Sequence, residues 1–515
     1  MDENLRHSNE DIQKAAGAAL AALMRAYFPV RENGPSERLQ SRVVDKYIKL
    51  VNTSDNPAET RGYALALGSL PKKLLSPSPQ VLDSVLNCLC RAARFDATVG
   101  KHGDAETRRN ANQALMYVTR EVGFCDTTAP PAIGLSRNKL GQVFECFILA
   151  LGDYNTDRRG DVGSWCRMAA MTGLEHLTFL AIGNRIEIET NVLTRTFGGL
   201  LKQLSEKLDN VRSHAGWCLE RLLRSQSPFI SELAFRDNLV ASLQIGKDTN
   251  WSDAKVTFRR VVDAMNMAEF FHFVVSGVVV SVGALTESVT KEAEEALVEW
   301  IRLAEKNGKG TNERVEQLGQ AFLDVLNENR RKGRVVLPLL KTMEKLFNRG
   351  LLDDLLSKRG LQFAPRLLGC LQVETKGCSD IYRLLSAVGV ALGLLSQLND
   401  NSVNRDVLKF MLEMLAHEFP RVRKHTADNL YVRLLEDPSV LPKQDNEGSI
   451  LDMLLQGQWQ SDLLGQHHID QLSTKLAELM GFEFTPTWSR SEKQSPAPSK
   501  DDFASYASLI NATLS

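Results

Sequence analysis

The stretch Val211-Arg-Ser-His-Ala-Gly-Trp-Cys-Leu219 contains the pattern that decides the fold of this chain. It opens with an aliphatic residue followed by an arginine, and it has a small residue four positions on and a leucine eight positions on. Residues four apart lie on the same face of a helix. The small side chain lets a neighbouring helix approach closely, so the stretch predicts a helix that packs tightly against another.

The same pattern recurs along the chain, with an aliphatic residue or a threonine in first place. The other copies occupy residues 12–20, 60–68, 107–115 and 162–170, with weaker ones at 289–297 and 422–430. The first five copies start 48, 47, 55 and 49 residues apart. This period fits helix-pair repeats, which run at about 40–47 residues and tolerate insertions. The sequence therefore predicts an all-α fold, an α-solenoid of about ten HEAT/armadillo-like helical repeats.

Two polar features of the repeats indicate how neighbouring helices connect. The arginine in second place can reach an acidic residue in the same turn region of an adjacent repeat. Asp11, Asp161 and Asp209 precede three of the copies, and a carboxylate is favourable where the first N–H groups of a helix are free. We therefore expect charged pairs between repeats, in addition to the apolar core.

Composition narrows the class of protein. The 515 residues are 43% hydrophobic and 24% charged, so wholesale disorder is excluded. Lys and Arg number 62 against 63 Asp and Glu, and the missing basic excess argues against a dedicated nucleic-acid binder. The start is acidic and lacks a signal peptide. The apolar run 270–285 is short for a bilayer span and reads as a buried segment.

No familiar catalytic or metal-binding motif emerges from the sequence. The eight cysteines form no C-x-x-C pair and read as buried, reduced thiols. Residues 307–311 lack the upstream glycine of a P-loop. His417 and Glu418 could begin an H-E-x-x-H zinc motif, but Pro420 would end the helix that this motif requires. Asp153, Asp157 and Asp161 have the wrong spacing for a calcium loop and predict a polar turn. The expectation is a non-catalytic chain with no cofactor and no metal.

Two longer stretches resemble a known family. They are Asp153-Tyr-Asn-Thr-Asp-Arg-Arg-Gly-Asp-Val-Gly-Ser-Trp-Cys-Arg-Met-Ala-Ala-Met171 and Glu269-Phe-Phe-His-Phe-Val-Val-Ser-Gly-Val-Val-Val-Ser-Val-Gly-Ala-Leu-Thr-Glu-Ser288. Both resemble segments of the tubulin-folding cofactor D family, also called tubulin-specific chaperone D. Similarity extends from the first repeat through Phe482. Because members of this family are longer, the chain resembles their C-terminal part, as a fragment or as a truncated form.

The resemblance also suggests four regions. They are HEAT-like repeats at 1–190, a cofactor D C-terminal-like helical region at 191–380, terminal helical repeats at 381–482, and a tail at 483–515. The stretch 485–500 is rich in Pro and Ser and has no apolar stripe, so the tail reads as flexible, with a short helix possible at its end.

The resemblance implies a function and a set of partners. Family members bind β-tubulin and support assembly and disassembly of the α/β-tubulin heterodimer, together with cofactors C and E and an Arf-like small GTPase. That assembly activates GTP hydrolysis by tubulin. The implied localisation is cytoplasmic and cytoskeletal, with centrosome and cell-junction pools. Neither Arg158 nor Arg159 is assigned as an arginine finger, because cofactor C is the component usually credited with that role.

One surface group is a candidate for partner binding. Arg421, Arg423 and Lys424 form the densest local group of basic residues, and an acidic partner such as tubulin would be attracted to it. The competing interpretation of these residues is a solvated face or a ladder between repeats. For the whole chain, the alternatives are a generic HEAT adaptor, such as a transport receptor or a phosphatase scaffold, and an enzyme whose site has no recognisable motif.

Overall fold

The computed structural model describes residues 1–27, 37–94, 104–125, 133–225, 233–246, 249–284, 287–306, 311–356, 363–396, 398, 401–442, 445–460 and 465–484. Helices joined by turns account for these ranges. No β-strand occurs within them, and the only β-type pairing there is two isolated bridges, 124 with 135 and 157 with 160. The all-α prediction is confirmed. The predicted tail lies outside the described residues from 485 onward, including 485–500.

The chain divides into two compact units at residues 274 and 275, inside one helix. The predicted boundaries at 190 and 380 remain predictions. The helices of the first unit are α1 Asp2–Leu5, α2 Glu10–Tyr27, α3 Glu37–Thr53, α4 Pro57–Gly68, α5 Lys72–Leu75, α6 Pro79–Ala93, α7 Ala105–Val122, α8 Arg137–Ala150, α9 Gly163–Gly183, α10 Thr190–Leu204, α11 Asp209–Arg224, α12 Arg236–Ser242 and α13 Ala254–Asp263. Helix α14, Ala268–Val282, crosses the division.

Helix pairs in the first unit stack in two layers. In one layer α3, α6, α8 and α10 contact one another in order, and in the other α4, α7, α9 and α11 do so. Each helix of the first layer also contacts its successor in the second, as α6 contacts α7 and α10 contacts α11. This is the arrangement expected for HEAT/armadillo-like repeats, in which each apolar face is buried by the next repeat.

The predicted repeat pattern coincides with the helices that form these contacts. All seven copies lie in the first turns of a helix, and the residues four and eight positions on are buried in each. Helices α4 and α7 approach each other closely. A Cβ on Gly68 would lie only 2.7 Å from Cα of Ala114, so a larger residue at position 68 would force the two helices apart.

Capping residues fix where several helices begin. Ser78 caps α6 by accepting a hydrogen bond from the N–H of Val81, and Pro79 is the first residue of that helix. Ser136 caps α8 by accepting a hydrogen bond from the N–H of Lys139. Both caps are serines, a residue type strongly preferred at this position. Each satisfies an N–H group that would otherwise lack a partner inside the helix.

The second unit repeats the two-layer arrangement. Its helices are α15 Glu287–Lys306, α16 Thr311–Glu328, α17 Gly333–Phe347, α18 Phe363–Thr375, α19 Ile381–Leu394, α20 Asn401–Leu415, α21 Pro420–Glu436, α22 Glu447–Gln456 and α23 Gly465–Met480. Here α16, α18, α20 and α23 form one layer, while α17, α19, α21 and α22 form the other.

The apolar run 270–285 is buried where the structure describes it, as predicted. It forms most of α14, and Val275, Val278, Val279 and Val282 have almost no exposed surface. The carbonyl of Val279 accepts a hydrogen bond from Oγ1 of Thr342, at 3.1 Å. None of the described helices is long and apolar enough to cross a membrane. All eight cysteines are free thiols, and two of them, Cys125 and Cys370, are only half-buried.

Candidate functional site

Arg423 is buried, which corrects its assignment to an exposed basic group. Only 3% of the residue is exposed. Its guanidinium donates to three backbone carbonyls, those of Trp459, His417 and Glu418, each at 2.9 Å. The reason lies in its place in the repeat. The second position of the copy at 422–430 faces the turn before α21, which holds His417 and Glu418, and the segment after α22, which holds Trp459, so all three carbonyls lie outside helices.

The other two predicted residues, Arg421 and Lys424, do reach the surface. Arg421 is exposed and stacks over the ring of Tyr382, with its guanidinium carbon 5.5 Å from the ring centroid. Lys424 pairs with Asp428 one turn further along α21, at 2.7 Å. Because the charge of Lys424 is paired and Arg423 is buried, the local excess of positive charge at the surface is smaller than the sequence suggested. Their role in partner binding remains a prediction.

The arginines at the second repeat position form a ladder inside the protein. Arg108 and Arg212 are buried like Arg423, and Arg61 is partly buried. Arg61 lies 4.0 Å from the carboxylates of Asp104 and Glu106 at the start of α7. Arg212 pairs with Asp209 of its own helix and donates to the carbonyl of Glu206. The prediction of charged pairs between neighbouring repeats is therefore right for Arg61 and wrong for Arg212, whose carboxylate partner lies in its own helix.

Arg108 makes the tightest of these connections. Its Nε lies 2.6 Å from Oδ2 of Asp153 and its Nη2 lies 3.3 Å from Oδ1, so both carboxylate oxygens are engaged. Each residue is almost completely buried. Burial alone would lower the pKa of Arg108, but the hydrogen bond and the negative charge of Asp153 outweigh it and raise the pKa. The predicted inter-repeat pair is confirmed here.

The turn 153–161 is the polar entry to α9 that the sequence predicted. Its three aspartates each engage an arginine. Asp153 pairs with Arg108, Asp157 with Arg159, and Asp161 with Arg167. Arg167 also donates to the carbonyl of Asp153, at 2.8 Å. The carboxylates are therefore satisfied by cations from the protein itself. Among the described residues, no group of His, Cys, Asp and Glu has the arrangement of a metal site.

Two arginines flank the half-buried ring of Trp165. The guanidinium of Arg159 lies 5.0 Å from the ring centroid and that of Arg109 lies 5.8 Å from it. Arg159 also pairs with Asp157 and Glu106, and these hydrogen bonds and charges raise its pKa. Arg158 is exposed and contacts no described carboxylate. Arg159 is thus held in place by its partners, whereas Arg158 extends into solvent.

An exposed face runs across α7, α9 and α11, on the side of these helices turned away from the first layer. Tyr117 is 46% exposed and Trp217 is 45% exposed. Between them, Oγ1 of Thr172 on α9 lies 2.9 Å from Nε2 of His214 on α11. Arg221 and Glu175 connect the same two helices through a pair at 2.7 Å. We call this surface the α7/α9/α11 face. Large exposed aromatic rings on a cross-linked scaffold are typical of protein-binding surfaces.

Histidines on this face are held neutral. Burial, followed by the charge of Arg120, lowers the pKa of His176, and burial followed by Arg221 lowers the pKa of His214. Nε2 of His176 is buried without a hydrogen-bond partner among the described residues. Sequence reasoning missed this face. The available signal was that Tyr117 and Trp217 fall outside the apolar stripes of their helices, at positions where a polar side chain would be usual.

The two layers of paired helices define an all-α helical-repeat protein of the HEAT/armadillo kind. Within it, residues 194–383 match the family model described as tubulin folding cofactor D C terminal. The match begins in α10 and ends in α19, and it covers nearly the same residues as the predicted 191–380 region.

Two curated relatives support the same assignment. The chain is 24% identical to tubulin-specific chaperone D of Dictyostelium discoideum over 467 residues, which is 84% of this chain and 31% of that protein. It is 21% identical to tubulin-folding cofactor D of Schizosaccharomyces pombe over 304 residues, 57% of this chain and 26% of that protein. The chain thus spans less than a third of either relative's length. Its resemblance to the tubulin-folding cofactor D family is confirmed.

Similar solved structures include an engineered protein, with a TM-score of 0.29 and 14% identity, covering 94% of this chain and 98% of that one. Another comes from a study of tubulin recruitment by microtubule polymerases with TOG domain arrays. Its TM-score is 0.25 and its identity 13%, with coverage of 92% and 99%. Scores this low add nothing to the assignment.

Proposed function

We propose that this chain is a tubulin-folding chaperone and scaffold that binds β-tubulin and supports assembly and disassembly of the α/β-tubulin heterodimer. The observation that carries the proposal is the match of residues 194–383 to the cofactor D C-terminal family. The names of the two curated relatives, one from an amoeba and one from a yeast, agree with it.

We assign tubulin contact to the α7/α9/α11 face. Inter-repeat pairs such as Arg108 with Asp153 and Arg221 with Glu175 hold neighbouring helices in register, so the face is preorganised. A preorganised surface loses less conformational entropy on binding. Trp217 is the anchor of this surface in the proposal, because exposed tryptophans are strongly enriched among the residues that dominate binding energy.

The proposal includes the partners that the resemblance implies. The chain would act with tubulin-folding cofactors C and E and with an Arf-like small GTPase, and would contribute to activation of GTP hydrolysis by tubulin without catalysing a reaction itself. The corresponding location is the cytoplasm and cytoskeleton, with pools at the centrosome and at cell junctions. The basic residues Arg421 and Lys424 would add long-range attraction, which salt weakens over a Debye length of about 8 Å.

A pull-down from cytosol with the full chain tests the class of partner. Tubulin and cofactor E should be enriched, whereas enrichment of transport cargo or phosphatase subunits instead would favour a generic HEAT adaptor. Titration with purified α/β-tubulin then tests the face. Trp217→Ala should weaken binding by about 2 kcal/mol or more, as at a hot spot.

The matched control is Leu149→Ala. Leu149 is an equally exposed apolar residue, at 50%, but it lies on α8 in the other layer. The proposed face requires that Leu149→Ala leave the affinity unchanged. Equal losses in both variants, or no loss in Trp217→Ala, would reject the α7/α9/α11 face as the contact surface.

A further inference from the structure

A groove lies between α16 and α18 in the second unit. Its volume is about 250 Å³, and Leu323, Leu326 and Val373 are among the apolar residues that line it. Gly369 lies in its wall, and a Cβ built at that position would have no atom within 4 Å. Val373 is 40% exposed, so the apolar lining is open to solvent.

The two ends of the groove carry arginines. At one end, Nη1 of Arg366 donates to Gln320, at 2.8 Å, and at the other end Nη2 of Arg330 donates to Asn327, at 2.9 Å. Both side chains are exposed, and neither forms an ion pair with a described carboxylate. Their partners are neutral amides, so both guanidinium charges remain uncompensated and available to a ligand.

Further basic residues extend the end near Arg330. Arg331, Lys332 and Lys376 are exposed, and their side chains form no ion pair with described residues. The acidic side chains in the same stretches, 320–332 and 363–376, are Asp324, Glu328 and the buried Glu374. Five exposed basic groups thus surround the groove, against two acidic groups that are not buried. Charge complementarity favours an acidic ligand.

The turn that presents these charges is held in a strained conformation. Arg331 has φ of 61°, a left-handed conformation that is uncommon for a residue other than glycine or asparagine. The buried carboxylate of Glu374 accepts from the N–H of Arg331, at 2.9 Å, and Arg383 donates to the carbonyl of Arg331, at 3.4 Å. The protein therefore fixes both sides of the turn at a residue whose side chain forms no hydrogen bond or ion pair within the described part of the chain. Such maintained strain is typical of functional sites.

We infer that the groove between α16 and α18 binds an extended acidic segment of a protein partner, with one apolar side chain on the groove wall and carboxylates at Arg366 and Arg330. Arg366 and Glu374 are eight positions apart along α18, a rise of about 12 Å at 1.5 Å per residue. An extended segment of about four residues has that length. The inference deepens the proposed function, since the groove lies inside the matched region 194–383 and tubulin would supply the segment.

The test uses the full chain and a fluorescent peptide, Glu-Glu-Leu-Glu-Glu, with Gln-Gln-Leu-Gln-Gln as its neutral counterpart. Fluorescence anisotropy should show that the acidic peptide binds and that the neutral one binds at least about tenfold more weakly. Gly369→Leu fills the groove, and Arg330→Gln with Arg366→Gln removes its charges. Each should weaken binding of the acidic peptide at least about tenfold.

Matched controls separate these effects from a change in folding. Gly141→Leu introduces the same side chain into another helix where space is open, and Arg405→Gln removes an exposed arginine elsewhere. Neither should alter binding. Arg331→Gly relieves the strain while removing one charge, so it should fold at least as stably and still bind the peptide more weakly.

Protection of cysteines gives an independent readout. Cys370 lines the groove and is half-buried, as is Cys125 in the other unit. Peptide should slow maleimide labelling of Cys370, measured by mass spectrometry, and leave Cys125 unchanged. The inference is overturned if the acidic peptide does not bind, if the neutral peptide binds equally, or if Gly369→Leu binds as well as wild type.

Titration with tubulin distinguishes failure of the groove from failure of the proposed function. If tubulin binds the wild-type chain and the groove variants equally, the groove assignment is wrong and the proposed function stands. If the acidic peptide binds in the groove but tubulin does not bind the chain, the proposed function fails and the groove belongs to another acidic partner.

Discussion

Arg108 and Arg423 occupy the same position in the helical repeat, and both are buried, but their surroundings differ. Arg108 meets a buried carboxylate from the next repeat, Asp153. Arg423 donates to the backbone carbonyls of His417, Glu418 and Trp459. The second repeat position thus specifies burial of an arginine, while the neighbouring loops determine which groups its guanidinium binds.

The largest expected effect follows from breaking the charged pair. Arg108→Met leaves Asp153 as a buried carboxylate without its cation, and breaking such a pair costs about 3–5 kcal/mol. The measurement is the free energy of unfolding by urea of the full chain. A double variant, Arg108→Met with Asp153→Leu, should recover part of the loss, because no buried charge remains. If the double variant is less stable than Arg108→Met, the pair must stabilise the fold by more than the mutual neutralisation of two buried charges.

The second prediction concerns pH and the neighbour of Arg423. Burial and then the charge of Arg423 lower the pKa of His417 from 6.5 to about 4. The unfolded chain therefore binds a proton more readily than the folded one, so stability falls as the pH drops from about 6.5 to about 4. At 1.36 kcal/mol per pKa unit, the loss amounts to roughly 3 kcal/mol. His417→Asn should remove this part of the pH dependence, measured by thermal unfolding across that range.

A smaller effect is expected from Arg423→Met. The substitution leaves the carbonyl oxygens of Trp459, His417 and Glu418 without this donor, and an unsatisfied buried polar group costs about 1–3 kcal/mol. The variant should therefore lose less stability than Arg108→Met. Arg423→Met should also raise the pKa of His417, because the positive charge of Arg423 is one of the two causes that lower this pKa. An equal or greater loss in urea unfolding would refute the contrast between the two arginines.

The smallest effect is expected on the surface of α21. Arg421→Glu with Lys424→Glu replaces exposed side chains, and surface changes of this kind alter stability by about 0.5 kcal/mol or less. Tubulin association should weaken, and its dependence on salt should become shallower. A large drop in the unfolding midpoint would mean that the stacking of Arg421 on Tyr382 is a structural contact. Salt-independent binding by the wild type would remove both residues from the mechanism.

The helices were predictable because their signals are local. Ala64, Ala111 and Ala215 lie at the small position of their copies, and each is buried against a neighbouring helix as the pattern predicted. The polar turn 153–161 and the caps Ser78 and Ser136 were predictable for the same reason. In each case the sequence within a few residues determines the conformation.

The binding surfaces depended on contacts that are distant in sequence. Whether Arg423 points inward depends on a carbonyl of Trp459, 36 residues away. The groove forms because Gln320 and Arg366, 46 residues apart, meet across two helices. Trp217 falls outside the apolar stripe of α11, but that position alone does not reveal which exposed residues share a face.

Buried repeat arginines build the scaffold, and we propose that the exposed α7/α9/α11 face binds tubulin. The most direct test is the dissociation constant of purified α/β-tubulin for wild type, Trp217→Ala and Arg423→Met, at a temperature where circular dichroism shows all three folded. We expect at least about tenfold weaker binding for Trp217→Ala and unchanged binding for Arg423→Met. Unchanged binding by Trp217→Ala together with a loss in folded Arg423→Met would contradict this proposal.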